Sequence, residues 1–367
     1  FNRTFGPAWF SVVLGLPPDF PLPPRVSVIN DLSTQDITSY GIFGEVSWSG
    51  FDERLKLSLS TRWQRDEIEQ TYFALRQAVF PPFDATLDDQ AGSASFNSLM
   101  PRLAATYRFT DDLTAYAVAS KGVKPGGYNL GSQEVPNSPA TFGKEELWNY
   151  EVGLKGDLLG RRLRYSLAVF HMDWKDIQVG QFFFDPVTFS GADLTVNGTA
   201  ASSNGVELEL TAALTQRLRL SAGMGYTDAK FDDFRNAIVS TTGDTADVTG
   251  NLLPLSTEWT ANAAAEYRYP TGSMGDAFAR VEYIYRGDTY DDIDNRDVEG
   301  DLIPAYDTWN LRFGLDGGRY SVVAFVDNVT DEEYVTGWLV NASESFTGVP
   351  GVINPRTYGV RMIARFQ

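Results

Sequence analysis

Few side chains in this sequence could do covalent chemistry. There is one histidine, His171, and no cysteine. A catalytic thiol, a disulfide framework and a multi-histidine or cysteine metal cluster are therefore excluded. Glu207 and Glu209 share one face of an alternating segment, as Arg162 and Arg164 do in another. Paired carboxylates do acid–base work only across a substrate-sized gap in a shielded cleft. Here they are expected to line a polar interior, where opposite charges on neighbouring strands can pair. His171 is expected to be a hydrogen-bonded wall residue, because no partner ligands accompany it. No Ser/His/Asp set, phosphate-cradling loop or dinucleotide fingerprint is present, so neither an enzyme nor a bound cofactor is expected.

One segment is dense in carboxylates: Asp288, Asp291, Asp292, Asp294, Asp297, Glu299 and Asp301. Hard cations such as calcium take several carboxylate oxygens, and Asp291, Asp292, Asp294 and Asp297 would be the candidate ligands. The turn glycine of the EF-hand pattern is missing from its place, so a solvated acidic loop is the default reading. The net charge of -18 over 367 residues argues against a nucleic-acid partner.

The elements that must position these groups are strands. In Leu55-Lys56-Leu57-Ser58-Leu59-Ser60, Val206-Glu207-Leu208-Glu209-Leu210-Thr211, Leu218-Arg219-Leu220-Ser221-Ala222-Gly223 and Trp309-Asn310-Leu311-Arg312-Phe313, apolar residues fall on every second position. Successive strand side chains point to opposite faces, so each segment has one apolar and one polar face. Strands are predicted near 37–49, 53–66, 100–109, 113–121, 146–157, 161–174, 204–214, 217–228, 257–269, 277–287, 307–316, 319–327 and 356–366. Short connections, such as Thr110-Asp111-Asp112 and Gly317-Gly318, alternate with long ones at 67–99, 122–145, 175–203, 229–256, 288–306 and 328–355.

Such alternation predicts an all-β, transmembrane, antiparallel up-and-down β-barrel with short periplasmic turns and long extracellular loops. No apolar run approaches the roughly 18 residues that a membrane helix needs. In the last strand Tyr358, Val360, Met362, Ala364 and Phe366 share a face opposite Arg361 and Arg365. The first set must meet lipid, since an arginine at the bilayer midplane costs about 2–4 kcal/mol. Trp48, Trp63, Tyr107, Trp148, Tyr150, Trp259, Tyr267, Trp309, Tyr358 and Phe366 suit interfacial girdles. Residues 1–35, rich in proline, read as an irregular extracellular loop, and 36–367 as barrel. The acidic loops would also suit bridging to lipopolysaccharide through divalent ions. About 13 strands is an odd count, whereas single-chain bacterial barrels have an even number. A larger, truncated barrel is therefore expected. A passive porin or hydrophobic-solute channel of about 14 strands, closed by a strand near Ala8–Leu14, is the alternative.

Tyr107-Arg108-Phe109-Thr110-Asp111-Asp112-Leu113, Ser120-Lys121-Gly122-Val123-Lys124-Pro125-Gly126-Gly127-Tyr128-Asn129, Trp148-Asn149-Tyr150-Glu151-Val152-Gly153-Leu154-Lys155, Asn204-Gly205-Val206-Glu207, Val326-Asp327-Asn328-Val329-Thr330-Asp331 and Pro355-Arg356-Thr357-Tyr358-Gly359-Val360 follow one another in an order and spacing that resembles the TonB-dependent outer-membrane receptors. The resemblance runs from about Tyr40 onward. It implies a 22-stranded barrel with a plugged lumen, of which about nine strands and the plug would lie upstream of Phe1. It further implies import of a scarce ligand, with a ferric siderophore the family-level expectation, driven through the TonB complex of the inner membrane. The chain ends Phe366-Gln367, one residue past the family's usual terminal aromatic.

Ligands of such receptors are caught by extracellular loops. Lys121, Lys124, Tyr128 and Asn129 would stand after an up-going strand, facing an anionic complex. Turn chemistry at Lys-Pro-Gly-Gly-Tyr accounts for the Pro and Gly without a ligand. Phe182, Phe183 and Phe184 could stack on a ligand or pack their own loop.

Overall fold

The structure is a computed structural model that describes residues 27–78, 85–129, 132, 135, 138–185, 190–239, 245–297, 301–337 and 355–366. Strands β1 (Ser27–Gly50), β2 (Leu55–Ala78), β3 (Ala85–Thr110) and β4 (Leu113–Lys124) come first. A loop hairpin, β5 (Gly127–Tyr128) and β6 (Thr141–Phe142), leads to β7 (Glu145–Leu158) and β8 (Leu163–Lys175). A second, β9 (Gln178–Asp185) and β10 (Ser190–Asn197), leads to β11 (Ala200–Ala213) and β12 (Leu218–Asp233). A third, β13 (Ala237–Ile238) and β14 (Thr245–Ala246), precedes β15 (Trp259–Pro270) and β16 (Asp276–Arg286). The fourth, β17 (Thr289–Tyr290) and β18 (Leu302–Ile303), precedes β19 (Tyr306–Asp316), β20 (Tyr320–Asp327) and β21 (Thr357–Ala364).

Leaving the loop hairpins aside, the rest form one 13-stranded antiparallel sheet in chain order, with β1 and β21 at its edges. This is the up-and-down wall that the alternation predicts. Its outer face is apolar and unburied: Ile42 is 73% exposed, Tyr358 77% and Met362 76%. An aqueous protein would not leave such a face bare, whereas lipid is its proper solvent. Aromatic side chains bound the apolar band. Trp63, Tyr150, Trp259, Trp309 and Tyr358 stand toward the long-loop end, and Trp48, Tyr267, Tyr320 and Phe366 toward the short turns. Two upper pairs interlock across strands, Tyr226 with Trp259 at 4.7 Å and Tyr283 with Trp309 at 4.8 Å between ring centroids.

The inner face carries the charge. Arg268, Glu266, Arg280 and Glu282 form a ladder across β15 and β16, with contacts of 2.6, 3.6 and 2.7 Å. Tyr116 donates to Glu151 at 2.6 Å. Arg164 pairs with Asp157 at 3.1 Å, not with either glutamate of β11. Arg162 donates instead to the Ala213 carbonyl at 3.1 Å. On the outer face His171 is hydrogen-bonded within the wall, its Nδ1 lying 2.9 Å from Asn204 Oδ1.

Two boundaries differ from the sequence reading. Residues 67–99, expected as a long connection, are mostly strand: β2 runs on to Ala78 and β3 begins at Ala85. β1 likewise begins at Ser27, inside the expected loop 1–35, and residues 1–26 lie outside the described part. The reason is that β1, β2 and β3 satisfy one another's backbone groups row by row from Ala78 to Leu55, so the ladder does not need lipid to continue. Ile68, Tyr72 and Thr71 suit such a strand. Asp66, buried on its inner face, accepts from Ser39 Oγ at 2.6 Å and Gln64 Nε2 at 2.8 Å.

Among the described residues, a cluster of buried apolar side chains lies at the long-loop end of the wall. Ile177, Val179, Ala201, Phe231, Phe234, Ala237, Val248 and Ile293 pack together. They come from the upper ends of β11 and β12 and from the chain between β8 and β11, between β12 and β15, and between β16 and β19.

Candidate ligand site

The long connections act as one layer because side-chain amides sew them together. Asn129 is buried and donates from Nδ2 to the Pro139 carbonyl (2.9 Å) and the Thr195 carbonyl (2.7 Å). Its Oδ1 accepts from Thr195 N at 2.8 Å. The loop after β4 is thereby fastened to β10. Asn197 repeats the device: Oδ1 accepts from Gly143 N at 2.6 Å while Nδ2 donates to Asp176 O at 2.8 Å. Gln178 Nε2 reaches the Pro125 and Gly143 carbonyls at 2.9 and 3.0 Å. On the other side Asn251 donates to Ile293 O at 2.9 Å, and Asn295 Oδ1 accepts from Leu252 N at 2.6 Å. The described residues of 122–145, 175–203, 229–256 and 288–306 thus form a joined roof.

The sequence-predicted residues are spread over the wall top and this roof, not gathered at one point. Lys121 and Lys124 are three apart on β4 and so face opposite ways. Lys121 lies opposite Trp148, on the outer face with Ala117, Ala119, Tyr150 and Val152, and its ammonium meets Glu146 at 2.8 Å. Lys124 is exposed on the inner side. Tyr128 lies over Gly92, where an added Cβ would fall 2.6 Å from its ring, and its hydroxyl donates to Ser93 O at 2.6 Å. Asn129 is fully engaged as described. Gly126 is needed for close approach and not for a left-handed turn: a Cβ there would lie 2.7 Å from the Phe96 ring.

Phe182, Phe183 and Phe184 are on β9, opposite Asp193, Ala192 and Gly191 of β10. Phe182 and Phe183 are half-buried; the Phe184 side chain is outside the described part. Phe183 lines a cavity of about 470 Å³ together with Gln181, Asn197, Phe234, Arg235 and Asn236. Gln181 is buried, and its Nε2 has no hydrogen-bond partner among the described residues. Arg235 uses Nε on Asp233 at 3.0 Å and keeps its other nitrogens as donors. Sequence reasoning missed Gln181, Phe234 and Arg235. Only their nearness to an aromatic run could have pointed to them.

In the acidic segment each described carboxylate has its own work. Asp301 is fully buried and accepts from the backbone N–H of Asp292 (2.9 Å) and Arg296 (2.5 Å). Asp288 accepts from Ala305 N at 2.6 Å. Asp297 accepts from the Tyr290 hydroxyl at 2.6 Å, and this bond, with burial, pushes the phenol up to about 12. Asp294 pairs with Arg296 at 2.7 Å, yet burial and the neighbouring Asp292 push its carboxyl up to about 6. No group of three or more acidic or histidine side chains able to hold a metal ion occurs among the described residues. The Asp291, Asp292, Asp294 and Asp297 carboxylates are thus not gathered into a cation cage.

The family described as TonB dependent receptor-like, beta-barrel matches residues 3–329. The chain is 28% identical over 287 residues to the metal-pseudopaline receptor CntO of Pseudomonas aeruginosa, covering 77% of this chain and 36% of that protein. It is 24% identical over 296 residues to the probable TonB-dependent siderophore receptor PiuA of Acinetobacter baumannii, covering 76% and 35%. Among solved structures it resembles the ferric yersiniabactin uptake receptor FyuA of Yersinia pestis, with a TM-score of 0.71, 21% identity, and coverage of 91% of this chain and 46% of that one. The chain spans about a third of the length of the curated relatives it matches.

Proposed function

This chain belongs to the TonB-dependent receptor β-barrel family of outer-membrane proteins, and from that premise we propose that it supplies wall and ligand-receiving loops to an importer of a ferric siderophore. The observation that carries the reading is the loop-layer cavity. It joins two phenylalanine rings, Phe183 and Phe234, to the Arg235 guanidinium and the Gln181 Nε2, which has no partner among the described residues. Aromatic faces, a cation and an N–H donor suit a chelate that presents conjugated rings or carbonyls and negative charge. Relatives described as receptors for metal-pseudopaline, siderophore and ferric yersiniabactin support the same class of cargo. TonB would engage the plug of such a receptor, and the wall would hold that plug through its charged inner ladder.

The test uses the whole protein purified from outer membranes. Tryptophan fluorescence is followed during titration with three ferric complexes: a hydroxamate, a catecholate and an opine-type chelate. One complex is expected to bind, about tenfold more weakly after Gln181→Leu or Phe183→Ala. Cellular uptake of the same complex, labelled with radioactive iron, is expected to stop when a protonophore collapses the inner-membrane gradient. Binding of none of the three, with steady open conductance in planar bilayers, would replace this reading by the passive channel.

A further inference from the structure

The outer face of the wall is not evenly filled. A hollow of about 610 Å³ opens on it across β3, β4, β7, β8 and β11, lined chiefly by Leu103, Ala117, Ala119, Tyr150, Val169 and Val206. Its floor is low because Ala117 and Ala119 of β4 stand between Leu103 on one side and Tyr150 and Val152 on the other. The hollow runs across the strands, is lowest over β4, and is polar at its upper edge on the β8–β11 side. His171 and Asn204 face outward there, bonded to each other through Nδ1 and Oδ1 at 2.9 Å. Among the described residues the histidine Nε2 and the asparagine Nδ2 remain for another partner. Polar groups turned outward beside the apolar band are costly unless something meets them.

Above that edge stand three lysines. Glu146 holds Lys121 at 2.8 Å and Lys144 at 2.7 Å, one on each carboxylate oxygen. Lys175 lies opposite Glu146 in register, and Asp173 lies opposite Trp148 one row lower. Each ammonium has three donors, of which Glu146 takes one from Lys121 and one from Lys144, and Lys175 and Asp173 share the same outer face. The long-loop end of the wall lies in the outer leaflet.

We propose that this hollow is a binding site for one phosphorylated glycolipid of the outer leaflet, of the lipid A type. One acyl chain lies along β4 over Ala117 and Ala119. Its phosphate sits on Lys121, Lys144 and Lys175, and the sugar amide and hydroxyls meet His171 and Asn204. A phospholipid has the chain and the phosphate but no sugar for the last pair, and this decides the choice between the two sources. The inference is independent of the cargo, which belongs to the loop layer.

Native mass spectrometry of the whole protein in detergent, with hexa-acylated bisphosphorylated lipid A added, reads the site directly. One retained copy is expected. Ala119→Phe fills the hollow, and the pair Lys121→Gln with Lys144→Gln removes the phosphate donors; each is expected to lower retention about tenfold. Ala263→Phe, on the outer face of β15, is expected to leave it unchanged. Lipid A stripped of its phosphates, or phosphatidylglycerol in its place, is expected to be retained about tenfold less. Heat-modifiable gel migration shows that each variant has folded. A lipid A carrying a photoreactive group on an acyl chain, which should crosslink to β4 in the unaltered protein, gives a readout that needs no substitution. Equal retention by wild type and Ala119→Phe, equal retention of phosphatidylglycerol, or crosslinking spread evenly around the wall would overturn the proposal.

Discussion

The wall and the roof above it solve opposite problems with the same chain. In the wall, large apolar side chains point away from the protein, as at Ile42 and Met362, and the charged ladder of Glu266, Arg280 and Glu282 points inward. In the roof the order reverses: Phe231 and Ile293 are 1% exposed, and the acidic residues stand around them. The wall is held chiefly by strand-to-strand backbone bonds. The roof has little regular ladder, so Asn129, Asn197, Asn251 and Asn295 do with side chains what the sheet does with main chain. What decides the arrangement is the solvent each part meets, lipid below and water above.

The largest expected effect breaks the roof alone. Phe231→Ala should cost about 3–5 kcal/mol of loop-layer stability. Hydrogen exchange should quicken across 175–203 and 229–256, while the wall keeps its heat-modifiable migration. Loss of both together would mean that the two parts are one cooperative unit. Next, Val152→Arg on the lipid side should cost about 2–4 kcal/mol, read as a lower urea midpoint in lipid vesicles. The inward-facing Ser120→Arg on the neighbouring strand should change the midpoint little, and equal losses would contradict the assignment of faces. Smaller again, Asn129→Ala strands the Thr195 N–H and leaves two carbonyls without a donor, at about 1–3 kcal/mol. Faster exchange at Thr195 is the expected sign.

The gentlest test is pH. The folded Asp294 carboxyl is raised from 3.8 to about 6, so the folded loop holds its proton more tightly than the unfolded one. Below both values the two states are equally protonated and the group is neutral to stability. As pH rises from about 4 to about 6 the unfolded segment ionises first, and the loop 288–306 loses stability. Above about 6 the loss is complete and constant. Proteolysis of this loop should therefore be faster at pH 7 than at pH 4.5, and Asp294→Asn should flatten the difference.

The same contrast explains how much could be read beforehand. Wall strands were legible because lipid on one side and water on the other impose a period of two, visible in Leu55–Ser60 and Val206–Thr211. The extensions of β2 and β3 were not legible, because past Trp63 the outer face turns to Arg65, Glu67 and Glu69 and the apolar half of the pattern stops. Asn129 was picked out by its neighbours, but its partner Thr195 lies 66 residues away, and no local spacing announces it. The apolar content of Ile177, Val179, Phe231 and Phe234 was the one available hint that these loops are not merely solvated.

The ribbon of β1, β2 and β3 carries a consequence for the cell surface. From Trp63 to Ala78, β2 climbs roughly 50 Å along its own axis at about 3.3 Å per residue. It is therefore a mast, standing among the sugar chains that coat the bacterium. Anything broad that drifts inward, whether an antibody, a bacteriophage or a protein toxin, meets the mast before it meets the membrane, whereas a small solute passes beside it.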